Sequence, residues 1–359
     1  MTRALLTEPL NHDDDAVEIR AVVRRFLAER QPGETLRALC RTDSGYDGNV
    51  WAETAEMGWP ALALPEDLGG AGYGPSEFAV LCEELGRGVA VGPLLASAGF
   101  ALPVLLGCED PVARDLVRAV AAGSRIAALV DDPTSTLDRA ADALTGTASR
   151  VLDAGSAHVL VIARGETVLI ADTTAAGVAT TRVPSTDPSR RIFRVTFDST
   201  PVTELAATPD AVALARATAD INLAATHVGG AAQALDMTLE YLGTRHQFGK
   251  PIGSFQALKH RMADAAVAVS LARELVHGAA ATVGRGSPAD ATLATRTALI
   301  AAAQAAQEVT EEAIQLHGGI GFTEEHDIGL YYRRAVADRD LRGLLVDHRA
   351  EQVAALGWG

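Results

Sequence analysis

A mainly helical α+β chain in three parts is what the order of residue patterns predicts. The parts are an N-terminal helical domain over 1–123, a small middle domain over 124–207 built as an antiparallel β barrel or sandwich, and an antiparallel four-helix bundle over 208–359. Three observations carry that expectation. Apolar residues recur at helical spacing, with charges between them, from 13 to about 122. Short β-favouring runs broken by glycine, aspartate, threonine and proline follow from Ile126. Long alanine-rich segments with short connections then run from Pro209 onward, the pattern of a bundle. At 359 residues and 48% hydrophobic composition, the chain has material for two or three cores.

Taken in order, Val17, Ile19, Val22, Val23, Phe26 and Leu27 mark the first helix. A second helical stretch from Trp51 stops at Gly58 and Pro60. The glycine-rich run Pro65-Glu-Asp-Leu-Gly69-Gly70-Ala-Gly72-Tyr-Gly74 joins one helix end to the next start at Pro75, so its expected role is a tight packing turn rather than a phosphate cradle. The helix over 75–86 carries Phe78, Leu81, Cys82 and Leu85 on one face. Strands are expected at Ile126–Val130, Val159–Ala163, Val168–Ala171 and Ile192–Phe197. The helices near 210–243, 254–284 and 288–317 follow. The last begins at Ser287-Pro288-Ala-Asp290: a capping serine, a proline at the first helical position and an acid in the first turn.

A net charge of −15 argues against a general nucleic-acid surface, because phosphates would be repelled. Cys40, Cys82 and Cys108 are scattered without metal spacing and suit buried thiols in a reducing cytoplasm. Asp13-Asp14-Asp15 comes too early for the apolar core of a leader peptide, and no uninterrupted apolar run approaches the ~18–20 residues of a bilayer span, so neither a leader nor a membrane partner is expected.

The most informative run is Arg245-His-Gln-Phe248-Gly249-Lys250-Pro251-Ile-Gly253-Ser254-Phe255-Gln256. Gln315-Leu-His317-Gly318-Gly319-Ile-Gly321-Phe322 follows some sixty residues on. These segments place a guanidinium, amides and a diglycine bend at helix ends, where free backbone N–H groups can meet an anion. Arginine supplies a fixed fork for a pyrophosphate, and glycine lets main chain approach a ligand. A dinucleotide fits; so, on the physics alone, does coenzyme A.

The order and spacing of these two segments resemble the acyl-CoA dehydrogenase family of flavoproteins. "GWPALALPEDLGG", "CEELGR" and the stretch from Leu144 to Arg164 resemble other parts of it, so the likeness spans essentially the whole chain. The resemblance implies FAD as cofactor, an acyl-CoA thioester as substrate, and an electron-transferring flavoprotein as acceptor. It further implies that Arg245, Phe248, Gln256, Gln315, Gly318 and Gly319 reach across a subunit interface to FAD. In the family a carboxylate base removes the α proton while the β hydrogen leaves as hydride to the flavin.

The family carries that base in one of two places. Aligning Tyr332-Arg333-Arg334-Ala335 puts Arg342 at one of them, and arginine stays protonated at any working pH. Ala224-Ala225-Thr226-His227 puts Thr226 at the other, and threonine has no useful basicity. His227 reads as a polar or interfacial histidine. Asp220 is the remaining candidate, as a displaced base. Where relatives carry a glycine- and serine-rich loop, Asp131–Asp138 has no glycine, though Thr134, Ser135 and Thr136 keep hydroxyls for a flavin contact.

The residues that reach a neighbour's FAD are therefore intact, and those serving the chain's own flavin are altered. That asymmetry points to one subunit of a two-component enzyme, as in α2β2 actinobacterial relatives acting on steroid side chains, with the base on a homologous partner subunit. The alternatives are a self-sufficient homo-oligomer using Asp220 and a redox-silent structural subunit. Of the remaining residues, Phe255 is expected as a core anchor and Lys250 as solvated. Glu324 and Glu325 are expected at a helix start, and Tyr331–Arg334 against a neighbouring subunit.

Overall fold

The computed structural model describes residues 14–285 and 287–358; the reading of the first thirteen residues lies outside them. Helices α1 (Asp14–Arg30), α2 (Gly33–Cys40), α3 (Gly48–Glu56) and α4 (Pro75–Arg87) open the chain. A π-helical segment, Leu95–Ala101, then runs into α5 (Leu102–Leu106), and α6 (Pro111–Ala121) closes the helical part. On α1, Val23, Phe26 and Leu27 are buried, whereas Val17 is on the outside. Asp47 caps α3 by accepting the Asn49 N–H, and left-handed Gly58 ends it before Pro60. The glycine-rich turn is a packing device, as expected: a Cβ on Gly70 would collide with the Leu64 carbonyl.

Strands β1 (Ala127–Val130), β2 (Thr136–Ala140), β3 (Ala143–Leu152), β4 (Val159–Arg164), β5 (Thr167–Asp172), β6 (Val178–Arg182), β7 (Ile192–Pro201) and β8 (Thr203–Leu205) form two four-stranded sheets, ordered β1-β4-β5-β8 and β2-β3-β7-β6. This is a sandwich, closed over Leu144, Val151, Leu160, Ile162, Leu169 and Phe197. Its pairings are antiparallel except β1 with β4, which run parallel in register Ala127 to Val159.

The helical bundle comprises α7 (Pro209–Thr244), α8 (Gln256–Val283), α9 (Pro288–His317), α10 (Ile328–Asp338) and α11 (Leu345–Ala355). Thr208 caps α7, and Ser287 caps α9 through the Asp290 N–H. By length and composition alone α8 is apolar enough to cross a membrane, a feature that uninterrupted-run counting passes over. In the fold its apolar face packs on α7 and α9, and its buried Arg273 pairs with Glu83 of α4 at 2.9 Å.

Glycine sets how closely α4 and α7 approach. A Cβ on Gly86 would strike the Thr226 carbonyl, and one on Gly229 would strike the Glu83 carbonyl. Where the three parts meet, Arg190 pairs with Asp338 at 2.6 Å and Arg334 with Asp187 at 2.9 Å, all four nearly inaccessible. This corrects the expectation of a neighbouring subunit for two members of the Tyr331–Arg334 segment, Tyr331 and Arg334. Tyr331 is buried and donates its hydroxyl to the Arg87 carbonyl, so Tyr331 and Arg334 face their own chain. Nor do Glu324 and Glu325 start α10, whose first residue is Ile328; Glu324 instead lies 3.7 Å from Arg41.

Asp153 borders this junction at φ 53° with its side chain enclosed, and burial pushes its carboxyl up to about 7 against the partial relief of Arg190 and Arg334. The unfolded chain ionises this aspartate from about 4, while the native state holds the proton until about 7. Its contribution to stability therefore falls as pH rises between those values and stays low above them. Asp153→Asn removes the ionisation and suits a left-handed backbone. The variant is expected to be the more stable by on the order of 1–4 kcal/mol at pH 8, with a smaller gain at pH 5. Urea midpoints at the two pH values check this, and an equal gain at both would show that Asp153 does not titrate in this range.

Candidate functional site

Two regions bear on function, one at an end of the bundle and one in a cleft. At the bundle end, α7 stops at Arg245 and the chain makes a short hairpin of β9 (His246–Gln247) and β10 (Lys250–Pro251). Its two turn residues, Phe248 and Gly249, both have positive φ, 52° and 78°, the geometry of a type I′ turn. The turn holds the Phe248 ring 90% exposed. The Ile252 N–H donates to the Arg245 carbonyl at 2.8 Å, tying the hairpin back to the helix end.

Helix α8 then begins at Gln256 with no side-chain cap; the Leu258 N–H turns back to the Phe255 carbonyl at 3.1 Å, which leaves the N–H groups of Gln256 and Ala257 for solvent or a ligand. At the same end α9 stops at His317 and turns on Gly318, whose φ is 62°. Tyr241, one turn before Arg245, stacks on His317 with ring centroids 4.6 Å apart, and that contact locks the two helix ends together. His317 is buried and interacts through Nδ1 with the Ala313 carbonyl at 2.7 Å. Desolvation holds its pKa below the ordinary histidine range, so the stack is made by a neutral ring.

The tertiary structure thus brings the Arg245, Phe248, Gln256, Gln315, Gly318 and Gly319 segments to one end of the bundle, and all six residues are exposed. A Cβ built on Gly318 or Gly319 would meet nothing within 4 Å, so the main chain there is open to approach. Phe255 is not the core anchor expected of it. It is half-buried, edge-on to Phe248 at 6.1 Å, with the Lys250 ammonium 4.3 Å above its ring rather than simply solvated. Tyr241 and His317 are the residues whose role sequence reasoning passed over; an aromatic ring one turn before the end of α7 and an imidazole at the last position of α9 were the available signal.

The cleft encloses about 690 Å³ between the β1–β2 loop, α7, α9 and the start of α11. Arg342 lies at its floor. Its Nε donates to Asp220 Oδ1 at 2.9 Å and its Nη1 is 3.2 Å from Asp131 Oδ2, while Arg216 Nη2 holds Asp131 Oδ1 at 2.9 Å. Burial would lower the Arg342 pKa, but Asp220 and Asp131 more than offset it and hold the group above its ordinary value. Arg342 also caps the buried Phe100 ring at 5.5 Å. Asp220 is therefore an engaged ion-pair partner rather than a free base.

Thr226 does not face this cleft. The helix α7 presents Ala213, Arg216, Ala217 and Asp220 to it, and Thr226 lies six residues beyond Asp220, about 240° around the helix. It borders a void of about 40 Å³ shared with Arg190 and Arg334, and its hydroxyl donates to the Leu223 carbonyl at 2.8 Å. Thr226 and Arg342 are thus not two routes to one reactive point. His227 is buried beside Asp338, and burial lowers its pKa to about 4, so it is a neutral packed histidine.

One of the three loop hydroxyls, that of Thr134, is committed within the loop. Asp132 Oδ1 accepts from the Thr134 N–H and hydroxyl at 2.9 and 2.7 Å, and Asp132 Oδ2 accepts from the Ser149 N–H. Arg150 bridges Asp132 at 3.1 Å and the Asp340 carbonyl at 2.7 Å, fastening the loop to the bundle. Thr134 is consequently not free for a flavin contact.

Comparison with known proteins matches both the N-terminal and the C-terminal parts of the chain. Residues 13–124 match the profile of the acyl-CoA dehydrogenase N-terminal domain, and 217–344 match that of the C-terminal domain. Acyl-CoA dehydrogenase IpdE2 of Mycolicibacterium smegmatis is 36% identical over 327 residues, covering 90% of this chain and 93% of that protein. The IpdE2 of Mycobacterium tuberculosis is 37% identical over 320 residues, covering 88% and 89%. Among solved structures, a variant of the Tcur3481-Tcur3483 steroid ACAD superposes with a TM-score of 0.89 at 28% identity, covering 96% of this chain and 98% of that one.

Proposed function

This chain belongs to the acyl-CoA dehydrogenase family, and we propose that it works as one subunit of a two-component, FAD-dependent enzyme that introduces an α,β double bond into an acyl-CoA thioester. One observation carries the two-component reading: where a base would have to stand in the chain's own cleft, Arg342 is clamped by Asp220 and Asp131. The Tcur3481-Tcur3483 pairing of a 28% identical steroid ACAD supports the same arrangement.

The exposed bundle end fits a nucleotide diphosphate. Arg245 would grip it with a charged fork, the uncapped start of α8 adds N–H groups and a favourable dipole, and Gly318-Gly319 admits close main-chain approach. Gln256 and Gln315 would supply amide hydrogen bonds, and Phe248 an apolar face. Bound FAD supplies a hydride acceptor for the hydrogen leaving the β carbon. Removing the α proton needs a carboxylate held close in a dry pocket. Arg342 stays protonated, Thr226 points elsewhere and Asp220 is ion-paired, so that proton goes to a carboxylate of the partner subunit.

The test is purification of the chain alone and with the product of its neighbouring gene. The pair is expected to carry flavin absorbance and turn over acyl-CoA, and the lone chain to do neither. Full flavin occupancy with turnover by the lone chain overturns the two-component reading, and a colourless, inert pair favours a redox-silent subunit. Asp220→Asn in the assembled enzyme is expected to leave turnover within about threefold of wild type, against the ~10²–10⁴-fold loss that follows removal of a general base. A loss of that size with flavin retained would instead assign catalysis to Asp220 in a self-sufficient homo-oligomer.

A further inference from the structure

The outward face of α8 is apolar where the surface of a bundle is ordinarily polar, and we infer that it docks a helix of the partner subunit whose apolar stripe is flanked by basic side chains. Gln256, His260, Ala263, Val267, Leu271 and Gly278 are all exposed, and their spacing keeps them within about 40° of one line along the helix. Val267 is 67% exposed and Leu271 60%. An 18-residue stretch of α8 that is apolar enough to cross a membrane is only 44% buried within the chain. The neighbouring α9 shows the ordinary arrangement: over its second half the exposed positions are Gln304, Glu308, Glu311 and Gln315.

Two further observations say what covers this face. A Cβ built on Gly278 would meet nothing within 4 Å, so packing inside the chain does not require glycine there, and glycine weakens a helix relative to alanine. On an open helix face it gives room for a second backbone to come close, the same use that Gly86 and Gly229 serve between α4 and α7. Asp264 and Glu274 border the stripe, both exposed and neither ion-paired among the described residues. They make a second copy a poor occupant. Packed in parallel about a twofold axis, α8 sets Asp264 against Asp264 and Glu274 against Glu274; packed antiparallel with Val267 on Leu271, it sets Asp264 against Glu274. Either way acid opposes acid beside an apolar seam, which rejects that pairing, whereas basic residues on the incoming helix reverse the sign. The stripe starts at Gln256, so a helix laid along it runs on from the bundle end already assigned to the shared flavin. That the occupant is the partner subunit rests on the two-component reading.

The test measures affinity between the full chain and the product of its neighbouring gene by biolayer interferometry. Leu271→Arg and Val267→Arg are each expected to weaken the pair roughly a hundredfold, with the urea midpoint of the lone chain unchanged because both positions are exposed. Val17→Arg, the same change on the outside of α1, is expected to leave the pair intact. Asp264→Lys combined with Glu274→Lys is expected to weaken it about tenfold. Wild-type affinity in both arginine variants of α8 would overturn the docking face and leave the two-component enzyme standing. Undiminished pairing by the charge-swapped chain would overturn the basic occupant. A wild-type chain that self-associates, ignores the neighbouring product and falls apart on Leu271→Arg would give the face to a second copy and overturn the two-component reading with it.

Discussion

Arg245→Ala in the assembled enzyme is expected to weaken FAD binding roughly ten- to a hundredfold, the loss of about 1.5–3 kcal/mol that follows removal of a hydrogen bond to a charged group. Arg245 is exposed at the end of α7, so the thermal stability of the isolated chain should change by less than about 0.5 kcal/mol. Arg245→Lys keeps the charge but not the fork and should fall between the two. Flavin fluorescence during dilution reads the affinity directly. An Arg245→Ala enzyme that retains FAD like the wild type would remove the bundle end from the cofactor site.

The largest stability effect is expected at Glu83. This carboxylate is almost wholly buried on α4 and holds Arg20 at 2.9 Å, Arg273 at 2.9 Å and His277 at 3.2 Å. Burial alone would raise its pKa, but Arg273, His277 and Arg20 together hold it well below the ordinary range. Glu83→Ala strips Arg273 of that carboxylate in a dry interior, a cost of about 3–5 kcal/mol. Removing the exposed Arg30–Glu53 pair should shift the midpoint far less, because solvent screens it. Urea denaturation compares the two, and similar midpoints would mean that water reaches the Glu83 cluster. Because the folded pKa is depressed, this stabilisation is present above the ordinary glutamate pKa and is lost as pH falls through the folded one.

Much of the fold was legible because its signals are local. Asp47, Thr208 and Ser287 cap helices with their own side chains, Gly58 ends one with a left-handed residue, and the apolar period of α1 names Val23, Phe26 and Leu27 as its buried face; α4, by contrast, is buried on all sides from Phe78 to Gly86. Strand β6 (Val178–Arg182) and strand β2 (Thr136–Ala140) were not legible. Both are largely exposed and polar, and both are held by their pairing with β7 and β3 rather than by side-chain pattern.

By itself the sequence determined the order of helix, sheet and helix, and the chemistry available for gripping a diphosphate: a guanidinium, carboxamides and a diglycine bend at helix ends. Only the tertiary structure decided that Tyr241 and His317 hold those ends together, that Arg342 is locked to Asp220 and Asp131, and that Thr226 turns away from the cleft. The physical reason is geometric. Residue type sets what a group can do, but on a helix repeating every ~3.6 residues a shift of six positions re-aims a side chain by about 240°, and partners such as Arg342 and Asp220 lie far apart in the chain.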